Sequence, residues 1–202
     1  MVGKLSLFIV GVIAFQVTQP KVVLFFGDSL TAGYGVSPEE SFPAVVQREL
    51  EKKGLNAKVI NGGLSGETSA GGLTRIDWVL RQPIDVFVLE LGANDGLRGL
   101  PISDTKKNLQ DIINKVKKKN PACKIVVAGM MVPPNMGKEY SDSFKDIFRD
   151  IAQKYGAHFI PFLLDGVAGI EKLNQADGIH PTPAGHKIVG ENITRVILPL
   201  LN

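Results

Sequence analysis

The chain has 202 residues, enough for one sizeable core and too few for two ordinary domains, so a single folded unit is expected. Hydrophobic residues make up 44% and charged residues 21%, an ordinary globular balance that excludes a disordered chain and a polytopic membrane protein. The net charge of +3, from 23 basic and 20 acidic side chains, is too small an excess to point to nucleic acid as a partner.

The N-terminus departs from that average. Lys4 precedes an apolar run over residues 5–17, the length of a secretory signal core and too short to span a bilayer comfortably. Residues 1–19 are therefore expected to be a signal peptide or an apolar anchor, and residues 20–202 the folded domain. No Ala-x-Ala site fixes a cleavage point, and membrane contact is expected only through this segment if it stays attached.

Beyond Pro20, short β-rich runs alternate with helical patterns, with no repeat and no low-complexity stretch. Strands are expected over residues 22–26, 58–61, 85–91, 124–130 and 158–162. Val86, Phe87, Val88 and Leu89 form a continuous apolar run, which suits a parallel strand covered on both faces. Between the first two strands, Phe42, Val45, Val46 and Leu50 share one helical face, with Ser41 as expected N-cap and Gly54 as stop. Further helices are expected over residues 70–82, 103–119 and 141–155. The last has the clearest start, Thr182 as cap and Pro183 in the first helical position, and carries Ile188, Val189, Ile193, Val196 and Ile197 inward. The expected fold is α/β, a three-layer α/β/α sandwich of about five parallel strands, flavodoxin-like in arrangement.

Ligands of such sheets sit beyond the carboxyl ends of the strands, so the residues that follow each strand are the informative ones. They are Gly27-Asp28-Ser29-Leu30 after the first, the glycine-rich stretch at residues 62–69 after the second, and Gly92-Ala93-Asn94-Asp95-Gly96 after the third. Asp177-Gly178-Ile179-His180-Pro181 stands before the last helix.

A serine hydroxyl needs a base within hydrogen-bonding reach, and the base needs an orienting acid. Of the three histidines, His158 opens an apolar strand and His186 lies inside the last helix, whereas His180 sits in a turn three residues after Asp177. That spacing lets one loop present carboxylate and imidazole together. Read alone, the segment is equally a plain turn, and Gly-Asp-Ser is equally ordinary turn chemistry with Ser29 as an N-cap. Gly66 can offer an unobstructed N–H to an oxyanion, or lie in a plain connection; the stretch lacks the Gly-Lys-[Ser/Thr] ending of a phosphate loop. Asn94 can donate its side-chain amide to the same oxyanion, or be a turn residue chosen for positive φ. The single cysteine, Cys123, reads as a small buried hydrophobe.

Together and in this order, these segments resemble the SGNH or GDSL hydrolase family over residues 22–186. The resemblance implies that Ser29 is the nucleophile, that Ser29, Gly66 and Asn94 supply the oxyanion hole, and that Asp177 and His180 are acid and base. The runs Glu90-Leu91-Gly92-Ala93-Asn94-Asp95-Gly96-Leu97-Arg98-Gly99 and Gly27-Asp28-Ser29-Leu30-Thr31-Ala32-Gly33-Tyr34 are most similar to its bacterial periplasmic thioesterase, lysophospholipase and arylesterase branch. Ala93 departs from the glycine common there, which matters only if that backbone needs positive φ. The resemblance implies an acyl-serine mechanism with no metal and no organic cofactor, a periplasmic or secreted location, and a small ester or lipid as the molecule bound. A monomer is expected.

Met131 and Pro133, after the fourth strand, and Phe162, after the fifth, are expected to line the substrate pocket, with Leu163 and Leu164 adding wall. Aryl esters, short to medium acyl esters, acyl thioesters and lysophospholipids are thereby favoured. The alternatives are a carbohydrate O-acetyl esterase on the same scaffold and a non-catalytic flavodoxin-like binding module. Asn192-Ile193-Thr194 forms a glycosylation sequon within the last helix.

Overall fold

The computed structural model describes residues 19–201. The expected leader or anchor falls on residues 1–18 apart from its last position, outside the described residues.

The described chain forms five parallel strands: β1 (Lys21–Gly27), β2 (Ala57–Gly63), β3 (Val86–Glu90), β4 (Lys124–Ala128) and β5 (His158–Ile160), in the order β2-β1-β3-β4-β5. Seven α-helices accompany them: α1 (Ser29–Ala32), α2 (Phe42–Lys52), α3 (Ser69–Val79), α4 (Ala93–Leu97), α5 (Ile102–Lys119), α6 (Lys138–Tyr155) and α7 (Pro183–Ile197). The connection through α2 runs from β1 to β2 in one direction along the sheet, and those through α3, α5 and α6 run in the other. Right-handed crossovers therefore put α2 on one face, where α7 packs on it, and α3, α5 and α6 on the opposite face. This is the expected three-layer sandwich.

The central strands are apolar throughout because both faces are covered; Val23 to Phe26 and Val86 to Leu89 are buried. The helices follow their stripes. Leu109, Ile112, Ile113 and Val116 of α5 and Phe144, Ile147, Phe148 and Ile151 of α6 enter the core. Fully burying each such side chain stabilises by roughly 1.5–3 kcal/mol. Cys123 is buried, and burial pushes its thiol up to about 12, so it is an inert packing residue at neutral pH.

Several element ends differ from expectation: α3 closes at Val79, β4 at Ala128 and β5 at Ile160, each short of its expected end, and the differences at β2, α6 and α2 have a visible cause. β2 continues through Gly62 and Gly63, which pair with Phe26 and Gly27 of β1, so these glycines belong to the sheet and not to the loop. A side chain on Gly63 would collide with the backbone of Ala32, so glycine permits the close approach of α1. α6 starts at Lys138, a turn before Ser141, from Gly137 in a positive-φ conformation. At α2, Ser41 stands in the cap position but its hydroxyl donates to Pro38 O at 2.7 Å, and the Phe42 N–H donates instead to His186 Nδ1 at 3.2 Å.

The strand order reverses between β1 and β3, and at such a switch point the flanking connections leave on opposite faces and open a crevice. The segments that follow these two strands carry Ser29 and Asn94.

Candidate active site

Gly27 ends β1, and Asp28 caps the single turn of α1 by accepting the Leu30 N–H at 3.0 Å. Ser29 is thus the first helical residue and not the N-cap, half-buried with its backbone N–H in the open first turn. Gly33 closes the turn in the left-handed conformation, and the chain passes to Tyr34.

The second part of the site is a turn before α7. Asp177 Oδ1 accepts the N–H groups of Ile179 at 2.9 Å and His180 at 3.0 Å, and Gly178 between them takes φ +70°. Asp177 Oδ2 lies 2.7 Å from His180 Nδ1, and His180 Nε2 lies 2.9 Å from Ser29 Oγ. With its proton on Nδ1 toward the carboxylate, the ring leaves Nε2 to accept from the serine hydroxyl. Partial desolvation would raise the Asp177 carboxyl, but the His180 and Ile179 hydrogen bonds outweigh it and hold the group at about 2. The orienting charge is therefore present at any working pH. The stem of the turn is fixed by the Asn174–Pro181 bridge and the 2.7 Å bond from Gln175 N–H to His180 O. Gln175 Nε2 donates to Tyr34 O at 2.7 Å, and the Tyr34 ring lies 4.7 Å from the imidazole, which joins this turn to the segment after α1.

The third part comes from the loop before α3 and from α4. Gly66 has φ +79°, a conformation that favours glycine. Asn94 lies inside α4, and no described residue other than glycine has positive φ, so the turn reading of Asn94 is excluded. Positive φ falls on Gly92 at +116°, the N-cap position of α4, which also explains why alanine is accommodated at position 93. Asn94 Nδ2 donates to Asp28 Oδ2 and to Glu67 O, both at 3.1 Å. Beside it, Asp95 Oδ2 accepts the Ser69 N–H at 2.7 Å and its Oδ1 the Ser69 hydroxyl at 2.5 Å, capping α3 from α4.

A fully buried carboxyl, Glu90, lies beneath the Ser29 turn. Its Oε2 accepts the Thr31 hydroxyl at 2.6 Å and the Asp28 N–H at 3.3 Å, and a side chain on Gly27 would collide with it. Burial, with the Asp28 charge next in effect, pushes Glu90 well above the carboxylate range, and burial also raises Asp28. The motif reading includes Glu90 in the run over residues 90–99 but gives it no role, although a carboxylate closing the apolar run from Val86 is a signal for one.

Ser29, Gly66, Asn94 and His180 open on one cleft of about 630 Å³. Met131, Pro133 and Phe162 line it, and so does Leu164; Leu163, expected beside them, is turned into the core instead. Sequence reasoning missed Leu97 and Ile179, which face the cleft with Met131 and Tyr34 as large exposed apolar side chains. His158 is exposed at the start of the edge strand. His186 is buried, and burial together with the charge on His180 lowers it to about 4, so it is a neutral structural imidazole. No group of three or more potential metal ligands occurs among the described residues.

Residues 25–188 match the GDSL-like Lipase/Acylhydrolase family. The chain belongs to this family. It is accordingly a serine hydrolase acting on carboxylic esters. It is 35% identical over 199 residues to an arylesterase of Vibrio mimicus, with 98% of each chain covered. It is 32% identical over 191 residues to thioesterase 1/protease 1/lysophospholipase L1 of Escherichia coli K12, covering 94% of this chain and 89% of that one. The crystal structure of TesA superposes with a TM-score of 0.85 at 35% identity, over 90% of this chain and all of TesA.

Proposed function

We propose that Ser29 is the nucleophile, His180 the base and Asp177 its orienting acid, and that the substrates are aryl and short to medium acyl esters, acyl thioesters and lysophospholipids. The observation that carries this reading is the continuous Ser29–His180–Asp177 hydrogen-bond chain opening on an apolar cleft. His180 Nε2 takes the Ser29 proton as Oγ attacks the acyl carbon. The resulting oxyanion is held by the N–H groups of Ser29 and Gly66 and by Asn94 Nδ2. Asn94 Nδ2 donates to Asp28 Oδ2 and to Glu67 O in this structure, and the oxyanion takes the N–H that is given to Asp28. His180 then protonates the departing alcohol or thiol, and water attacks the acyl-serine with the same base. The chemistry calls for no metal and no organic cofactor.

The cleft walls favour acyl chains and aryl groups over sugars, because Met131, Pro133, Phe162 and Leu164 offer apolar surface and few polar partners for hydroxyl groups. The names of the Vibrio and Escherichia relatives support the same classes. Residues 1–19 are read as a leader or anchor that exports the domain to the periplasm or beyond, and the domain is read as a monomer.

A series of p-nitrophenyl esters of increasing chain length, run beside an acetylated oligosaccharide, tests the substrate class. kcat/KM is expected to rise from acetate toward medium chains and to exceed that for the oligosaccharide by at least about tenfold, as a few buried methylenes would give. Preference for the acetylated sugar would contradict the reading.

A further inference from the structure

We infer that Arg75 of α3, through Glu67, is the positioning residue that sets the Gly66 N–H against the Ser29 turn. The inference rests on the proposed oxyanion role of Gly66.

Nothing lies within 4 Å of the place a Cβ would take on Gly66, and one bond from outside the loop, from exposed Arg98 Nη2 at 3.0 Å, reaches its carbonyl. The rest of its direction comes from its neighbours in the chain. The next residue, Glu67, is anchored twice: its carbonyl accepts Asn94 Nδ2, and its carboxylate is gripped by Arg75. Arg75 Nε donates to Glu67 Oε1 at 2.6 Å and Nη2 donates to Oε2.

The same guanidinium reaches two of the strands that lead into the site. Arg75 Nη2 donates to Gly62 O near the end of β2 at 2.8 Å, and to Gly27 O at the end of β1 at 3.3 Å. Gly27 is two residues before Ser29, and Gly62 is four before Gly66. The Gly27 carbonyl also accepts the Leu64 N–H at 2.9 Å, so the loop leaves β2 tied to the strand that ends at the nucleophile. The guanidinium carbon lies 4.1 Å from the Phe26 ring centroid, and the Glu67 side chain is 3% exposed against 22% for Arg75, so the carboxylate side of this pair is screened from water. Gly71 leaves room for it, because a side chain there would press on Glu67 Cγ.

A planar fork can serve one carboxylate and two carbonyls at once, which a lysine ammonium on a flexible stem cannot do in the same geometry. The expected consequence of weakening the clamp is a Gly66 N–H that wanders by a few tenths of an ångström. Binding of the neutral ester is then little affected, while stabilisation of the developing oxyanion is lost.

The test uses Arg75→Lys and Glu67→Gln in the full chain, with melting temperature, kcat and KM measured on a p-nitrophenyl ester and its thiono (C=S) counterpart. An oxyanion hole set for oxygen rejects the larger, more weakly accepting sulfur, so the oxo/thiono rate ratio reports its geometry. We expect KM within about twofold and kcat down about 10²-fold for Arg75→Lys, the size of losing one oxyanion donor, and about tenfold for Glu67→Gln. The oxo/thiono ratio should fall with kcat in both. Unchanged kcat in a folded variant, or a fall in kcat with an unchanged oxo/thiono ratio, would overturn the inference and leave the pair a structural one. Glu67→Gln decides the matter should Arg75→Lys unfold. A wild-type ratio no higher than that of uncatalysed hydrolysis would instead sink the oxyanion reading of Gly66, and the inference with it.

Discussion

At the carboxyl ends of β1 and β3, side chains reach far along the sequence: Asn94 bonds to Asp28 and Glu67, 66 and 27 positions away, and Asp95 to Ser69, 26 away. In the turn before α7, Asp177 bonds within three positions, to Ile179 and His180, and stands in the open. One part of the site is assembled by a buried polar network that also closes the fold, the other by a local turn whose geometry is nearly complete in itself. A substitution in the turn should therefore cost rate with little stability, and one in the network should cost both.

The largest effect is expected in the turn. Asp177→Asn retains an acceptor for the Ile179 and His180 N–H groups but removes the charge that fixes the imidazole, so kcat should fall by about 10⁴-fold. Its melting temperature should stay near that of the wild type, and a concurrent collapse in thermal unfolding would break the comparison.

In the network, Asn94→Ala should lower kcat by about 10²- to 10³-fold with little change in KM, and Asn94→Gly should do no better. It should also destabilise the protein by about 1–3 kcal/mol, because the Asp28 carboxyl and the Glu67 carbonyl both lose a donor. Steady-state kinetics beside a denaturant titration check both halves. Full activity with reduced stability would remove Asn94 from the oxyanion hole.

A buried histidine of α7 sharpens the contrast by pH. His186, buried against Phe42, titrates at about 4 in the folded protein and at 6.5 when unfolded. Above pH 6.5 both states carry it neutral and its contribution is fully present. As pH falls from 6.5 to about 4 the unfolded chain takes up a proton that the folded state refuses, and stability is lost. At about 1.4 kcal/mol per unit the loss is about 3 kcal/mol. His186→Asn, which can still accept the Phe42 N–H, should lack this slope, so the stability difference between wild type and variant should shrink across that interval. A difference constant from pH 7 to 4 would contradict the burial argument.

The same contrast explains what could be read from sequence. The Asp177–His180 turn, the Thr182-Pro183 start of α7 and the apolar run of β3 are local patterns, and each lies where its spacing predicts. The end of β2 at Gly63 depends on register with β1, and the cap of α2 depends on His186, 144 positions away, so neither leaves a local trace. Arg75 reads in sequence as one more cation on an amphipathic helix; only the fold turns it toward Gly27, Gly62 and Glu67. Leu163 and Leu164 are adjacent and equally apolar, yet one fills the core and the other faces the cleft, a choice made by the chain path after β5.

The proposed chemistry converges on one oxygen atom. Labelling the full chain with a fluorophosphonate, followed by peptide mapping, asks directly whether the Ser29 hydroxyl is the activated nucleophile. The account predicts one phosphonyl group per chain, on Ser29, with loss of esterase activity in step with labelling, and no labelling of Ser29→Ala even though Ser65 lines the same cleft. Labelling at Ser65, or a Ser29→Ala protein that retains activity within tenfold of the wild type, would contradict it.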